Sequence, residues 1–269
     1  MTWSGTLDAI WIYPYSMPTH SAEAIVLRQY SLSEADRIVV VFSREGGKIR
    51  AVARGAKKPR SRLGGCLEPL NQIQIEYYAK EGSDLGLIRG CEMLHSYLGS
   101  NPTPERVVLL SYLAEIVNEL AQENSSNPLL YRLFLSTLKA SESLPPNEAL
   151  IRYFEFWCLK LSGVLPDYDY CSKCSRCVKD DGFYAWLEAG QGRCAECAGG
   201  KGVHVHSNAA GILQDIWKLS PEQFAARPMG SASAGDLERL SRRLLEWHLE
   251  KQLKSLPSVK AVFSGRQDR

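Results

Sequence analysis

Apolar residues follow two regimes along this chain. Up to about residue 99 they form short runs or alternate with polar residues, and beyond residue 102 they recur every three or four positions. Residues 24–27 and 38–42 are continuous apolar runs of strand length. Over 48–54, Ile49, Ala51 and Ala53 point one way and Lys48, Arg50, Val52 and Arg54 the other, as on a pleated strand. Ile73, Ile75 and Tyr77 alternate in the same manner, and residues 85–92 supply a fifth strand. Gly46-Gly47 suits a hairpin turn between the second and third strands. Five strands with a turn-rich gap between the third and fourth predict a small barrel of the OB type. That gap, residues 55–69, holds three glycines and two prolines and is expected to be a mobile loop or to carry at most one short helix.

The helical regime begins with Val107, Leu110, Leu113, Ala114 and Val117, the spacing of a buried stripe, with Pro104 near the start where proline is tolerated. Further helices are predicted over 128–140 and 147–161, the latter stopped by Gly163 and Pro166. Residues 209–219 and 237–256 return to helical spacing after a cysteine-rich insert, and the stretch after Pro257 reads as a poorly ordered tail. The chain is thus read as multidomain α+β: an extension (1–20), an OB-fold β-barrel (21–99), a helical domain (100–170 and 206–256) with a zinc-finger insert (171–205), and a flexible tail (257–269).

Composition adds little until it is resolved along the sequence. A net charge of +2 over 269 residues points to no partner. Residues 44–62, however, hold eight basic side chains against Glu45 alone, a net +7. Lysines and arginines on a glycine-flanked loop can follow a phosphate backbone, and each neutralised phosphate releases counterions. Lys48, Arg50 and Arg54 on the strand, with Lys57, Lys58, Arg60 and Arg62 on the loop, are therefore the candidate nucleic-acid contacts. Tyr30, Phe42, Tyr77 and Tyr78 are candidate stacking partners, although aromatics in strands more often belong to a core. No apolar run approaches a membrane span, and the first twenty residues lack Lys and Arg, which argues against a secretory signal.

Five of the eight cysteines lie within 27 positions: Cys171, Cys174, Cys177, Cys194 and Cys197. Two Cys-x2-Cys hooks separated by an arm of this size are a zinc-site spacing. Spacing alone does not choose between Cys171/Cys174 and Cys174/Cys177 as the first hook. Four thiolates leave no coordination position for water, so such a zinc is structural. His204 and His206 could replace a sulfur in principle but read better as a surface pair. Cysteine usage of this kind suggests a reducing cytosol, in which Cys66, Cys91 and Cys158 would be buried free thiols.

Residues 24–70, including the loop GAKKPRSRLGG, resemble the first domain of the bacterial RecO family of recombination mediators. LPDYDYCSKC at 165–174, GRCAEC at 192–197 and EWHLEKQL at 246–253 are similar to later parts of that family. The resemblance covers roughly residues 22–255 and favours Cys171, Cys174, Cys194 and Cys197 as ligands of one structural zinc ion. It implies binding to single- and double-stranded DNA and annealing of complementary strands. It also implies help in loading RecA onto strands covered by single-strand-binding protein, in partnership with RecR and in the cytoplasm with the nucleoid.

No enzyme motif competes with this reading. His248-x-Glu250 follows the cysteines instead of preceding them, and no Pro precedes Cys194, so a zinc deaminase signature is absent. There is no Gly-x4-Gly-Lys-Ser/Thr phosphate loop. The expectation is a non-enzymatic protein of recombinational repair, with a zinc-ribbon transcription regulator and a zinc-dependent nuclease as rivals.

Overall fold

The two apolar runs fail to alternate because both of their faces are covered. The structure, a computed structural model, describes residues 19–79, 85–187 and 190–263. Its first five strands are β1 (Thr19–Ser31), β2 (Arg37–Ser43), β3 (Gly47–Ala53), β4 (Asn71–Tyr78) and β5 (Gly86–Ser96). Val26, Val39, Val41, Ile49, Ala51, Ile73, Ile75 and Ile88 form one buried cluster within this sheet. Ile25, Leu27, Val40 and Phe42, on the alternate positions, belong instead to the core shared with the helices. A strand buried on both faces reads as an unbroken apolar run.

β1 pairs with β4 through Thr19–Ile25 and with β2 through Ala24–Ser31, with a register shift between Val26 and Arg28 where it passes from one to the other. The strand order is β1-β2-β3-β5-β4, and β4 returns to β1, so the sheet closes on itself. The closing β3–β5 contact is parallel and brief, Ala51 with Gly86 and Val52 with Leu87. Thr19 and His20 are the first residues of β1, so the extension expected over 1–20 is shorter, and residues 1–18 lie outside those described.

The gap between β3 and β4 holds one short helix, α1 (Arg62–Cys66). Here the structure corrects the cysteine assignment. Cys66 on α1 and Cys91 on β5 are joined by a disulfide, and only Cys158 of the three remains a buried thiol. Their Cα atoms lie 6.3 Å apart, within disulfide reach. The packing of α1 on β5 creates that proximity between residues 25 positions apart, and sequence spacing carries no sign of it.

Three helices follow: α2 (Pro104–Leu120), α3 (Pro128–Ser143) and α4 (Glu148–Leu161). Thr103, Asn127 and Asn147 cap them, each side chain accepting a backbone N–H three residues on. The remaining elements are β6 (Gly182–Trp186), β7 (Gln191–Arg193), α5 (Ala195–Ala198), β8 (Val203–His206), α6 (Ser207–Ile216), α7 (Pro221–Ala225), α8 (Ser231–Leu249) and α9 (Leu256–Phe263). α4 is the hub, packed against α2, α3, α6, α7 and α8. It carries a fully buried ion pair, Arg152 Nη1 to Glu155 Oε2 at 3.0 Å. Ser241 Oγ donates to Glu155 Oε2 at 2.7 Å, and the Tyr112 hydroxyl donates to its other oxygen. Burial pushes the Glu155 carboxyl up against the opposing pull of Arg152.

The expected disorder after Pro257 is also corrected. Residues 256–263 form α9, which buries Leu256, Val259 and Phe263 and packs on α2. The approach to it is fixed by Glu115, whose carboxylate accepts the backbone N–H groups of Lys254 and Ser255 at 2.8 Å each. The helix expected over 237–256 begins earlier, at Ser231, and ends at Leu249, because Glu250 turns left-handed at φ 53°.

Candidate nucleic-acid interface and four-cysteine centre

Strand β3 places its residues as alternation demands: Ile49, Ala51 and Ala53 are buried, while Arg50 is exposed and Lys48 and Val52 are half-buried. The cations of β3 do not act as one set, however. The β2–β3 turn is pressed against the end of α2, so closely that a Cβ on Gly47 would fall 1.9 Å from the Ser125 carbonyl oxygen. Gly47 has φ +66°, and both constraints select glycine. In this contact Lys48 Nζ donates to the Asn118 carbonyl at 2.9 Å, near the negative end of the α2 dipole. Arg50 Nη1 lies 3.8 Å from Glu123. Arg54 is exposed and makes no ion pair among the described residues.

The basic loop is a sequence of tight turns anchored on the β1–β2 connection. Gly55, with φ +67°, donates its N–H to Asp36 Oδ1 at 2.8 Å, and Lys57 donates its N–H to the Ala35 carbonyl at 3.0 Å. The Lys57 ammonium donates to the Ser33 carbonyl at 2.6 Å and to the Ser31 hydroxyl. Lys58, Arg60 and Arg62 are exposed and, among the described residues, without ion pairs. The seven predicted contacts thus divide into four outward cations (Arg54, Lys58, Arg60, Arg62), one that braces the loop (Lys57) and two drawn to the helices (Lys48, Arg50). Sequence reasoning missed the braces Ser31, Ser33 and Asp36. Their signal is a Ser/Asp-rich turn in which Ser33 Oγ accepts the Asp36 N–H at 3.0 Å.

Of the candidate stacking aromatics, Phe42 is fully buried and packs on Tyr131 with ring centroids 5.8 Å apart. Tyr77 stacks on His20, and the Arg89 guanidinium covers Tyr78 at 4.8 Å. Tyr30 remains open at 45% exposure, with Arg28 beside its ring.

The second centre is built from two tight turns. Cys171 donates its N–H to the Arg176 carbonyl and accepts that of Ser175, each at 2.8 Å, with Ser175 left-handed at φ 58°. Cys194 caps the single turn of α5, which Gly199 ends at φ 58°. The sulfurs of Cys171, Cys174, Cys194 and Cys197 all lie within 4.8 Å of one another. Cys174 and Cys194 are 3.7 Å apart, too far for a disulfide. A tetrahedron with metal–sulfur bonds of about 2.3 Å has edges of about 3.8 Å, so the donor set fits a tetrahedral thiophilic ion. Cys177 pairs with Tyr170 at the stem of the first turn and stays outside the cluster. His204 and His206 lie on β8, their rings 4.1 Å apart, and are likewise outside it. Burial opposes ionisation of Cys171, but the backbone N–H groups of Cys194, Cys174 and Lys173 overcome it and bring the thiol down to about 6. Hydrogen bonding to the sulfurs of Cys194 and Cys174 pushes Cys197 up to about 12.

This module is docked on the helices. Tyr168 stacks on Phe183 at 4.3 Å, and buried Asp236 of α8 accepts the His206 N–H at 2.9 Å and its ring Nδ1 at 2.6 Å. The Asp236 carboxyl is held below the usual carboxylate range. Burial opposes this, but the His206 amide, the His206 ring and Arg239 outweigh it.

The chain thus combines a five-stranded sheet bearing outward cations with a helical body and a four-cysteine cluster that could hold a metal ion. Residues 17–97 match the family described as recombination protein O N terminal, and residues 102–257 match recombination protein O C terminal. The chain is 33% identical over 237 residues to the DNA repair protein RecO of Koribacter versatilis, covering 86% of this chain and 94% of that protein. It is 32% identical over 240 residues to DNA repair protein RecO of Anaeromyxobacter sp. strain K, covering 85% and 91%. With DNA repair protein RecO of Cutibacterium acnes the identity is 30% over 251 residues, covering 90% and 98%. The chain belongs to the RecO family of DNA repair and recombination proteins. Among the described residues, no helix is long and apolar enough to cross a membrane.

Proposed function

We propose that this chain is a non-enzymatic mediator of recombinational repair. It binds single- and double-stranded DNA, anneals complementary strands and helps load RecA onto DNA covered by single-strand-binding protein, with RecR as partner, in the cytoplasm. The observation that carries this reading is the set of four outward cations, Arg54, Lys58, Arg60 and Arg62, on the rim of a closed five-stranded sheet that we assign to the OB type. Annealing needs no bond chemistry. A cationic rim screens the repulsion between two phosphate backbones and raises their encounter rate.

We assign a structural zinc ion to Cys171, Cys174, Cys194 and Cys197. Four protein thiolates satisfy the ion and leave no position for an attacking water, which disfavours a hydrolytic role for this centre. We infer a division into barrel, helical body and inserted zinc module; the pairing of β6 with β7 and β8 in a small sheet of their own supports it. The test is strand annealing by purified protein, on naked DNA and on DNA covered by single-strand-binding protein. Acceleration in both cases is expected. Cleavage of labelled DNA in Mg2+ or Mn2+, or strong preference for one duplex sequence, would favour the nuclease or regulator instead.

A further inference from the structure

Trp247 is 48% exposed on α8, unlike Trp157 and Trp217, whose rings meet edge to face at 5.1 Å. It lines a groove of about 630 Å³ between the small sheet and α8, together with Trp186, Leu187, Val203, Arg243 and Glu246. Arg243 stands one turn before Trp247 and is exposed; it has no ion pair among the described residues. Among the described residues of the groove the one acid, Glu246, is partnered by Arg242 at 3.5 Å. A further guanidinium, that of Arg193, lies 4.1 Å over the Trp186 ring. The groove therefore joins two indoles to an arginine that has no ion pair among the described residues.

We propose that this groove binds an unpaired nucleobase of single-stranded DNA, stacked against Trp247, with Arg243 on the adjoining phosphate. Indole faces accept any base, and an uncompensated arginine beside them supplies the backbone contact. The excess of positive charge selects a phosphate-bearing occupant over an apolar one. The inference rests on the reading of the chain as a protein that binds single-stranded DNA, but not on the basic loop. It adds a second point of attachment, on the opposite sequence half from the barrel.

The test is fluorescence anisotropy with three probes: a thymidine oligomer, an abasic oligomer of equal length and a DNA duplex. W247A is expected to lose about 5- to 150-fold in affinity for the thymidine oligomer, the range of one stacked base. It should keep wild-type affinity for the abasic oligomer and the duplex, and W247F should retain most thymidine binding. R243A should weaken the thymidine and abasic oligomers alike. Alanine variants of the basic loop should also weaken both single strands, so a failure of the loop reading is distinguishable from a failure of this one. Wild-type affinity of W247A for the thymidine oligomer, or equal losses on the thymidine and abasic oligomers, would overturn the proposal. Circular dichroism of W247A should match the wild type, since the ring is half exposed.

Discussion

The division of the cations makes a quantitative prediction about salt. For single-stranded DNA, log affinity falls against log salt with a slope of about 0.7 per neutralised phosphate. If Arg54, Lys58, Arg60 and Arg62 each neutralise one phosphate, changing all four to Ala should flatten the slope by about 2.8. Between 50 and 200 mM salt, the wild type's advantage over this variant should then shrink by roughly fifty-fold. For duplex DNA, at about 0.9 per phosphate, the slope should change by about 3.6. Lys48 supplies the control. Its ammonium is held by the Asn118 carbonyl at the end of α2, so Lys48→Ala should leave the slope unchanged, well short of the change of about 0.7 that one lost phosphate contact would give. Lys57 is kept, because its bonds to Ser31 and Ser33 brace the loop. Anisotropy titrations over a salt series, with circular dichroism to confirm folding, give the slopes. A folded quadruple variant with the wild-type slope would refute the reasoning, and so would a Lys48→Ala slope change of about 0.7, the loss of one phosphate contact.

Four other outcomes follow from the structure. If the four cysteines hold the zinc ion we assign to them, Cys194→Ser should lose it and loosen the inserted module, whereas Cys177→Ser should retain it, as read by elemental analysis of protein purified without chelator. Glu155→Gln should strand the buried Arg152 guanidinium and cost about 3–5 kcal/mol in urea unfolding, while Glu155→Leu combined with Arg152→Met should recover most of that loss. Because the Asp236 carboxyl titrates below its unfolded value, its stabilising contribution is complete above about pH 4 and is lost as pH falls through the folded value; the gap between wild type and Asp236→Asn should close on acidification. Closing the 25-residue span between Cys66 and Cys91 stabilises by about 3–4 kcal/mol on the chain-entropy account, so dithiothreitol should lower the wild-type melting temperature more than that of a Cys66→Ser/Cys91→Ser variant.

Features fixed by neighbours in sequence were readable in advance. The alternation of β3, the Gly-Gly turn and the starts of α2, α3 and α4 depend on residues within a few positions. What escaped depends on distant contacts. Lys48 looked equivalent to Arg54 because its acceptor, Asn118, lies 70 residues away. The Cys66–Cys91 bond follows from packing that no spacing rule encodes. The α9 helix was missed for a different reason. Leu256, Val259 and Phe263 carry the helical spacing, but Pro257 reads as a stop when it sits in the first turn, where a missing N–H costs nothing. Spacing could not choose between Cys171 and Cys177; the family resemblance favoured Cys171, and the structure groups its sulfur with the other three while Cys177 pairs with Tyr170 outside the cluster.

The docking of α9 on α2 also sets an order of assembly during synthesis. The strands are complete by Ser96, so the barrel can close while the rest of the chain is still being made. The helices cannot finish so early, since α2 is sealed only when residues up to 263 have left the ribosome, and Glu115 must wait for Lys254 and Ser255. At bacterial elongation rates of 5–20 residues per second, that delay is roughly 10–30 s. Until then the flank of α2 that meets α9 has no cover from it. A nascent chain of this protein therefore carries all the strands of the closed sheet well before its helical body is complete, with Ile25, Leu27, Val40 and Phe42 still awaiting part of their cover.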